Sequence, residues 1–203
     1  MSDATPAMEP DSSEPKFWDK RWEAGKTPWD LGGIPPQLVA FLTRTSGPAR
    51  ALIPGCGSGY EVRAFHEAGH DVTAIDFCHK AVAHAREVLG PLGEKVLQGD
   101  FFKHDWGGNH FDVIYERGFL CSLPREDWPG YGTRIAELVK PGGRLVGMFL
   151  YGNEPEPPPF PLTSESAAEL LGHSFRLLGD VSIAKSVSVY QGMEHWEEWE
   201  RMG

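Results

Sequence analysis

The chain has 203 residues, 40% of them hydrophobic and 11% aromatic, with seven Trp and a formal net charge of −10. That length suits one α/β domain with a substantial core, and the composition speaks against a fibrous or disordered chain. The negative charge, uninterrupted by any Lys/Arg cluster, speaks against a nucleic-acid partner, and no apolar run approaches the ~20 residues of a membrane span.

Residues 1–14 are rich in Pro, Ser, Asp and Glu and lack periodicity, which predicts a flexible tail ahead of a single domain over 15–203. No basic region followed by an apolar stretch marks a signal peptide. A cytoplasmic location is therefore expected, and Cys56, Cys78 and Cys121, with no C-x-x-C spacing, predict reduced thiols with neither a disulfide framework nor a zinc ribbon. Phe17-Trp18-Asp19-Lys20-Arg21-Trp22 spaces its rings four or five apart, compatible with one face of a short helix, and Gly25-Lys26-Thr27-Pro28-Trp29-Asp30 breaks it. A second helix is predicted over 36–46, stopped by Gly47-Pro48, and the segment 15–46 is expected to act as a lid on a core at 47–203. From there, strand-like segments at 50–54, 71–76, 94–98, 111–116 and 143–150 alternate with helix-like ones at 58–68, 78–89 and 125–139. This alternation predicts a Rossmann-like, doubly wound α/β fold with a mostly parallel sheet. Pro155, Pro157, Pro158, Pro159 and Pro161 predict a stiff extended loop. A short helix at 164–172 and strands at 174–185 and 193–201 follow, the last two expected to pair antiparallel and bring the sheet to seven strands.

The chemistry gathers at the strand ends. Ala51-Leu52-Ile53-Pro54 runs into Gly55-Cys56-Gly57-Ser58-Gly59, a glycine turn between strand and helix that lets a ligand approach the backbone. The third glycine of a dinucleotide fingerprint would stand at position 60, which is Tyr60, so a nicotinamide-dependent reductase is disfavoured; no Tyr-x-x-x-Lys spacing supports one either. About 20 residues on, the second strand ends at Asp76, where a carboxylate accepts from ribose hydroxyls. The third ends at Gly99-Asp100-Phe101, placing Asp100 for an adenine amino group and Phe77 or Phe101 for the purine face. Either acid alone reads equally well as a turn or helix cap. The fourth strand runs out through Tyr115-Glu116-Arg117, and Lys140-Pro141-Gly142-Gly143 turns into the fifth.

This ordered series, over about residues 50–150, resembles the motifs of class I S-adenosylmethionine-dependent methyltransferases. The flanks narrow the resemblance. Phe17-Trp18-Asp19-Lys20-Arg21-Trp22, Gly25-Lys26-Thr27-Pro28-Trp29-Asp30, Ile53-Pro54-Gly55-Cys56-Gly57, Arg117-Gly118 and Pro157-Pro158-Pro159-Phe160 are similar to segments of the thiopurine S-methyltransferase-like family and its thiol and halide methyltransferase relatives. The resemblance implies that S-adenosylmethionine is the cofactor and S-adenosylhomocysteine the product. It implies that Trp18, Trp22 and Trp29 fold over the cofactor with Gly55, Gly57, Asp76, Phe77, Asp100 and Phe101. Arg117 falls near the methionine end or the acceptor, and Tyr151 and Phe160 near the acceptor. A small-molecule acceptor and no metal follow from it; a monomer or weak homodimer is expected, on which the sequence itself is silent. Ordinary core packing explains the three Trp equally well from spacing alone.

No compelling general base is present. Tyr115, Glu116, Tyr151 and His195 are weak candidates, which suits an acceptor that arrives already ionised. Cys121 reads as a small buried residue lining the pocket rather than a nucleophile. His66-Glu67-Ala68-Gly69-His70 spells a zinc-protease string, but Gly69 terminates the helix that the string needs, so zinc is not expected. A small-molecule O- or N-methyltransferase and a non-catalytic cofactor-binding regulator remain the alternatives.

Overall fold

The computed structural model describes residues 11–45, 47–108, 110–153 and 157–203. Among these residues the α-helices and strands follow in chain order as α1 (Pro15–Glu23), α2 (Pro36–Arg44), β1 (Arg50–Pro54), α3 (Tyr60–Glu67), β2 (Asp71–Asp76), α4 (His79–Leu89), β3 (Val96–Gln98), β4 (Phe111–Arg117), α5 (Trp128–Leu138), β5 (Val139–Leu150), α6 (Ser164–Leu171), β6 (Phe175–Ser182) and β7 (Glu194–Arg201). Pro at the first helical turn of α1 and α2 supplies a preset φ where its missing N–H costs nothing.

The strands form one seven-stranded sheet in the order β3-β2-β1-β4-β5-β7-β6. Neighbours from β3 to β5 are parallel, and β7 runs antiparallel to both β5 and β6. The predicted fold class therefore stands, with β7 as the antiparallel C-terminal strand. Two-residue periodicity sends alternate side chains to opposite faces. Leu52, Ile114, Leu145 and Phe149 pack with Tyr131 and Ile135 of α5 and Leu171 of α6. Ala51, Ile53, Val113, Tyr115 and Val146 pack with Leu38 and Phe41 of α2, Val62 and Phe65 of α3 and Val82 of α4. Each large side chain so buried contributes ~1.5–3 kcal/mol.

Several predicted boundaries shift. Of the expected tail, residues 1–10 lie outside the described residues, while Asp11–Glu14 form a turn in which Ser12 is buried. The tail expectation is shortened accordingly. α2 plants Leu38 and Phe41 in the core, with Phe41 6.1 Å from Trp196, so it belongs to a core layer rather than to a lid. β3 starts later than expected, because Gly90-Pro91 turns the chain into a 3-10 helix over 90–95. β5 starts earlier, at Val139, which pairs with Phe111 across a register shift; Lys140 reaches Asp112 at 2.7 Å and Gly142 takes φ +76° in the bulged segment. Part of the expected proline loop, residues 154–156, lies outside the described residues. Among the described residues no helix is long and apolar enough to cross a membrane.

Candidate active site

The carboxyl ends of β1, β2 and β4, together with the turn after β3, open on a cavity of about 540 Å³, within the range of small-ligand sites. The glycine turn builds its rear wall. Gly55, Gly57 and Gly59 have φ of +56°, +51° and +73°, a region that side chains disfavour. A Cβ on Gly55 would stand 2.5 Å from the Phe119 ring, and one on Gly57 3.8 Å from Trp22.

Asp76 ties this turn to the start of α4. Its Oδ2 accepts the Gly57 N–H at 3.0 Å and its Oδ1 the Cys78 N–H at 2.9 Å. Burial pushes its carboxyl up to about 6. A carboxylate has about four acceptor positions, so capacity for ligand hydroxyls remains. Asp100 lines the cavity but is already engaged, accepting the Phe102 N–H at 2.8 Å and pairing with Lys103 at 2.9 Å. Phe77 lines the cavity half-buried; Phe101 also reaches it but is a core residue, edge-on to Phe102 and Phe119 at 5.3 Å each.

Trp18, Trp22 and Trp29 all face the cavity from the N-terminal segment. Trp18 meets Trp29 edge-on at 5.5 Å and donates its indole N–H to the Ser12 carbonyl at 2.8 Å. At the inner end, the Arg117 guanidinium reaches the Trp29 carbonyl at 3.4 Å and lies 3.8 Å from Glu194. Arg117 Nε and the Tyr115 hydroxyl are buried without a hydrogen-bond partner among the described residues, and both residues line the cavity. Unsatisfied buried donors are rare. Burial raises the Glu61 carboxyl while Arg117 draws it down. In charge, Asp30, Glu61, Asp76, Asp100, Glu126 and Asp127 outnumber Lys103 and Arg117 around this volume, which favours a ligand carrying positive charge.

The sequence missed Tyr190, Glu61 and Phe119, which line the cavity together with Ser58 of the glycine turn; the Ser58 hydroxyl donates to Asp30. Only the Ser58 and Glu61 positions beside the glycines carried a local signal. Conversely, Tyr151 and Phe160 do not line the cavity, which corrects their expected place beside the acceptor. The Tyr151 hydroxyl bonds Glu197 and its ring lies tilted against His195 at 4.8 Å, while Phe160 packs against the α5 side of the sheet with its N–H on the Cys121 carbonyl. Cys121 is buried beside Tyr190, outside the cavity lining.

Of the acid/base candidates, Tyr115 alone reaches the cavity. Glu116 lies beneath it, its carboxylate accepting the Phe119 and Leu120 N–H groups at 2.9 and 3.0 Å and the Tyr131 hydroxyl at 3.2 Å; burial pushes it up to about 7. His195 pairs with Asp180 at 2.7 Å on the outer strands. In the zinc-protease string, His66 is exposed on α3 whereas His70, beyond Gly69 at φ +85°, is buried and accepts the Ala49 N–H at 3.1 Å.

One family profile and three known proteins are similar to this chain. The profile of the family described as thiopurine S-methyltransferase matches residues 13–202. A probable thiol methyltransferase 2 of Arabidopsis thaliana is 33% identical over 191 residues, covering 91% of this chain and 84% of the relative, and a thiocyanate methyltransferase 1 of Brassica oleracea is 30% identical, covering 95% and 88%. In fold, the chain is similar to a Burkholderia thailandensis 1,6-didemethyltoxoflavin-N1-methyltransferase solved with bound 1,6-didemethyltoxoflavin and S-adenosylhomocysteine, at TM-score 0.77 and 20% identity over 98% of this chain and 94% of that one.

Proposed function

This chain belongs to the thiopurine S-methyltransferase family and is a methyltransferase, and from that premise we propose that it methylates a small soft nucleophile, a thiol, hydrosulfide, thiopurine or halide, at the expense of S-adenosylmethionine. One observation carries the reading: an acid-lined, indole-walled cavity reaches Arg117, whose guanidinium is held by the Trp29 carbonyl beside Glu194, and Tyr115, whose buried hydroxyl has no hydrogen-bond partner among the described residues. The residues suit the cofactor. Asp76 has acceptor capacity for ribose hydroxyls, the indole faces and surrounding carboxylates favour a sulfonium and an ammonium, and Arg117 suits a carboxylate.

When bound, the cofactor supplies an electrophilic methyl group on a positively charged sulfur. The work left to the protein is alignment and exclusion of water. Arg117 and Tyr115 orient the carboxylate end of the cofactor or an anionic acceptor, and Trp18, Trp22, Trp29 and Phe119 keep water from the line of attack. An anionic acceptor loses its charge in the transition state, so a dry site favours reaction. Thiols, with a free pKa near ~8.5, provide some thiolate at neutral pH; halides need no base.

Calorimetry with S-adenosylmethionine, S-adenosylhomocysteine and NAD tests the cofactor, and binding of NAD alone would overturn it. Release of S-adenosylhomocysteine across thiols, hydrosulfide, thiocyanate, iodide, thiopurines and phenols then tests the acceptor. Turnover with thiols or another soft anion is expected; turnover with phenols alone would refute the soft-nucleophile reading, and binding without any turnover would favour a regulator.

A further inference from the structure

None of the residues of α1 is buried, yet this helix carries two of the three indole rings that wall the cavity. Full burial of apolar side chains does not fix it in place. Its attachment to α4 combines the Trp22 ring, 5.2 Å from that of His84, with a set of polar contacts. Asp19 Oδ1 accepts from the Cys78 thiol and from the Lys80 N–H, each at 3.1 Å, and Oδ2 lies 3.5 Å from His79 Nδ1. One turn further along α1, Glu23 pairs with Lys80 Nζ at 2.9 Å.

The amino end of α4 has N–H groups without helical partners and the positive end of the helix dipole. Its own cap, Cys78, offers only a sulfur, 3.4 Å from the Ala81 N–H. Asp19 therefore supplies, from a separate helix, the oxygen acceptor that a Ser or Asp cap would provide. The same turn faces the cavity on its other side. Asp76 holds the Cys78 N–H, and Asp76, Phe77 and Cys78 all line the cavity. Residues 76–80 are thus gripped from within by the ligand-facing carboxylate and from outside by α1.

We propose that Asp19 is a positioning residue for cofactor binding, a latch that bonds the amino end of α4 and so holds Trp18 and Trp22 over the cavity. The proposal rests on the methyltransferase reading above. If the cofactor favours the closed arrangement, occupancy and latching strengthen each other by the same factor.

The test compares wild type with Asp19→Ala and Asp19→Asn by calorimetry with S-adenosylhomocysteine, steady-state kinetics, and the rate of trypsin cleavage at Lys20 and Arg21, both on α1. For the loss of hydrogen bonds to a partly exposed charge, S-adenosylhomocysteine should bind Asp19→Ala about tenfold more weakly. Cleavage within α1 should be about tenfold faster and kcat at saturating cofactor should stay within about twofold, with the melting temperature shifted by no more than a few degrees. Asp19→Asn, which retains an acceptor oxygen, should fall between. In wild type, S-adenosylhomocysteine should slow the cleavage. The latch is overturned if Asp19→Ala matches wild type in affinity and cleavage, or if kcat falls while affinity holds. A wild type that binds no S-adenosylhomocysteine strikes the methyltransferase reading instead; unchanged cleavage of Asp19→Ala would then separately refute the latch, and faster cleavage would retain it as a clamp on α1.

Discussion

Ile53, Ile75, Asp76 and Tyr115, at the carboxyl ends of three parallel strands, are all buried, whereas α1, which walls the same cavity, buries none of its residues. The floor is thus set by core packing. The roof is set by indole edges, one carboxylate latch and one surface ion pair. Core packing resists continuous deformation, while exposed polar attachments are weak and reversible. A ligand entering such a site finds the strand-end groups already placed and spends binding free energy on ordering the roof.

The largest effect is expected in the floor. A Cβ on Gly147 would fall 1.8 Å from the Glu116 carbonyl oxygen on the neighbouring strand, directly behind Arg117. Gly147→Ala should cost about 4 kcal/mol or more, a drop of about 8–16 °C in melting temperature for a domain of this size, with ligand binding lost in parallel. A variant that melts like wild type would mean the floor can yield.

Next comes Asp76. Asp76→Ala should weaken S-adenosylhomocysteine binding by about 1–3 kcal/mol, measured by calorimetry. Because burial holds this carboxyl up to about 6, affinity should fall by up to about tenfold per pH unit below that point. The sign for folding is opposite. A carboxyl whose folded pKa is raised binds its proton more tightly when folded, so the ligand-free protein should gain stability as pH falls through about 6 towards about 4. Glu116, held near 7 by burial, adds to that trend with the same sign. Asp76→Asn should remove the binding trend and reduce the stability trend.

The roof should respond in binding alone. Trp22→Ala should raise the KM for S-adenosylmethionine by about 2- to 30-fold, the ~0.5–2 kcal/mol of a cation against an indole face, and leave the melting temperature within a few degrees. A sharp loss of stability with binding intact would place Trp22 with the floor. The smallest effect belongs outside both regions. Tyr151→Phe removes a hydroxyl bonded to Glu197, so it should cost about 1 kcal/mol of stability and leave kcat and KM within about twofold. A larger kinetic change would return Tyr151 to the acceptor site.

The floor was also the legible part of the sequence. The glycine turn, Asp76, Asp100 and Arg117 each sit at the end of a strand whose apolar pattern announces it, so local spacing alone gathers them at one edge of a parallel sheet. Tyr190 reaches the cavity from the loop before β7, and no periodicity in its own neighbourhood connects it to Arg117. Tyr151 and Phe160 failed for the complementary reason. They border a loop whose direction depends on long-range pairing, the bridge from Tyr151 to Leu162 and the bond from Phe160 to Cys121, and that pairing turns both rings towards the sheet. The early start of β5 was hidden by Pro141-Gly142-Gly143, which reads as a turn but is carried inside the strand as a bulge.

The position of β7 between β5 and β6 bears on how the protein is made. A chain emerging from the ribosome presents the glycine turn, Asp76 and Arg117 well before Glu194–Arg201 exists, and until then the outer edge of β5 has no partner. An unpaired strand edge is a template for wrong association. Glu194, the partner of Arg117, is the first residue of β7, and Tyr190 just precedes it. The stretch that closes that edge is therefore also the one that brings Tyr190 to the cavity and Glu194 to Arg117.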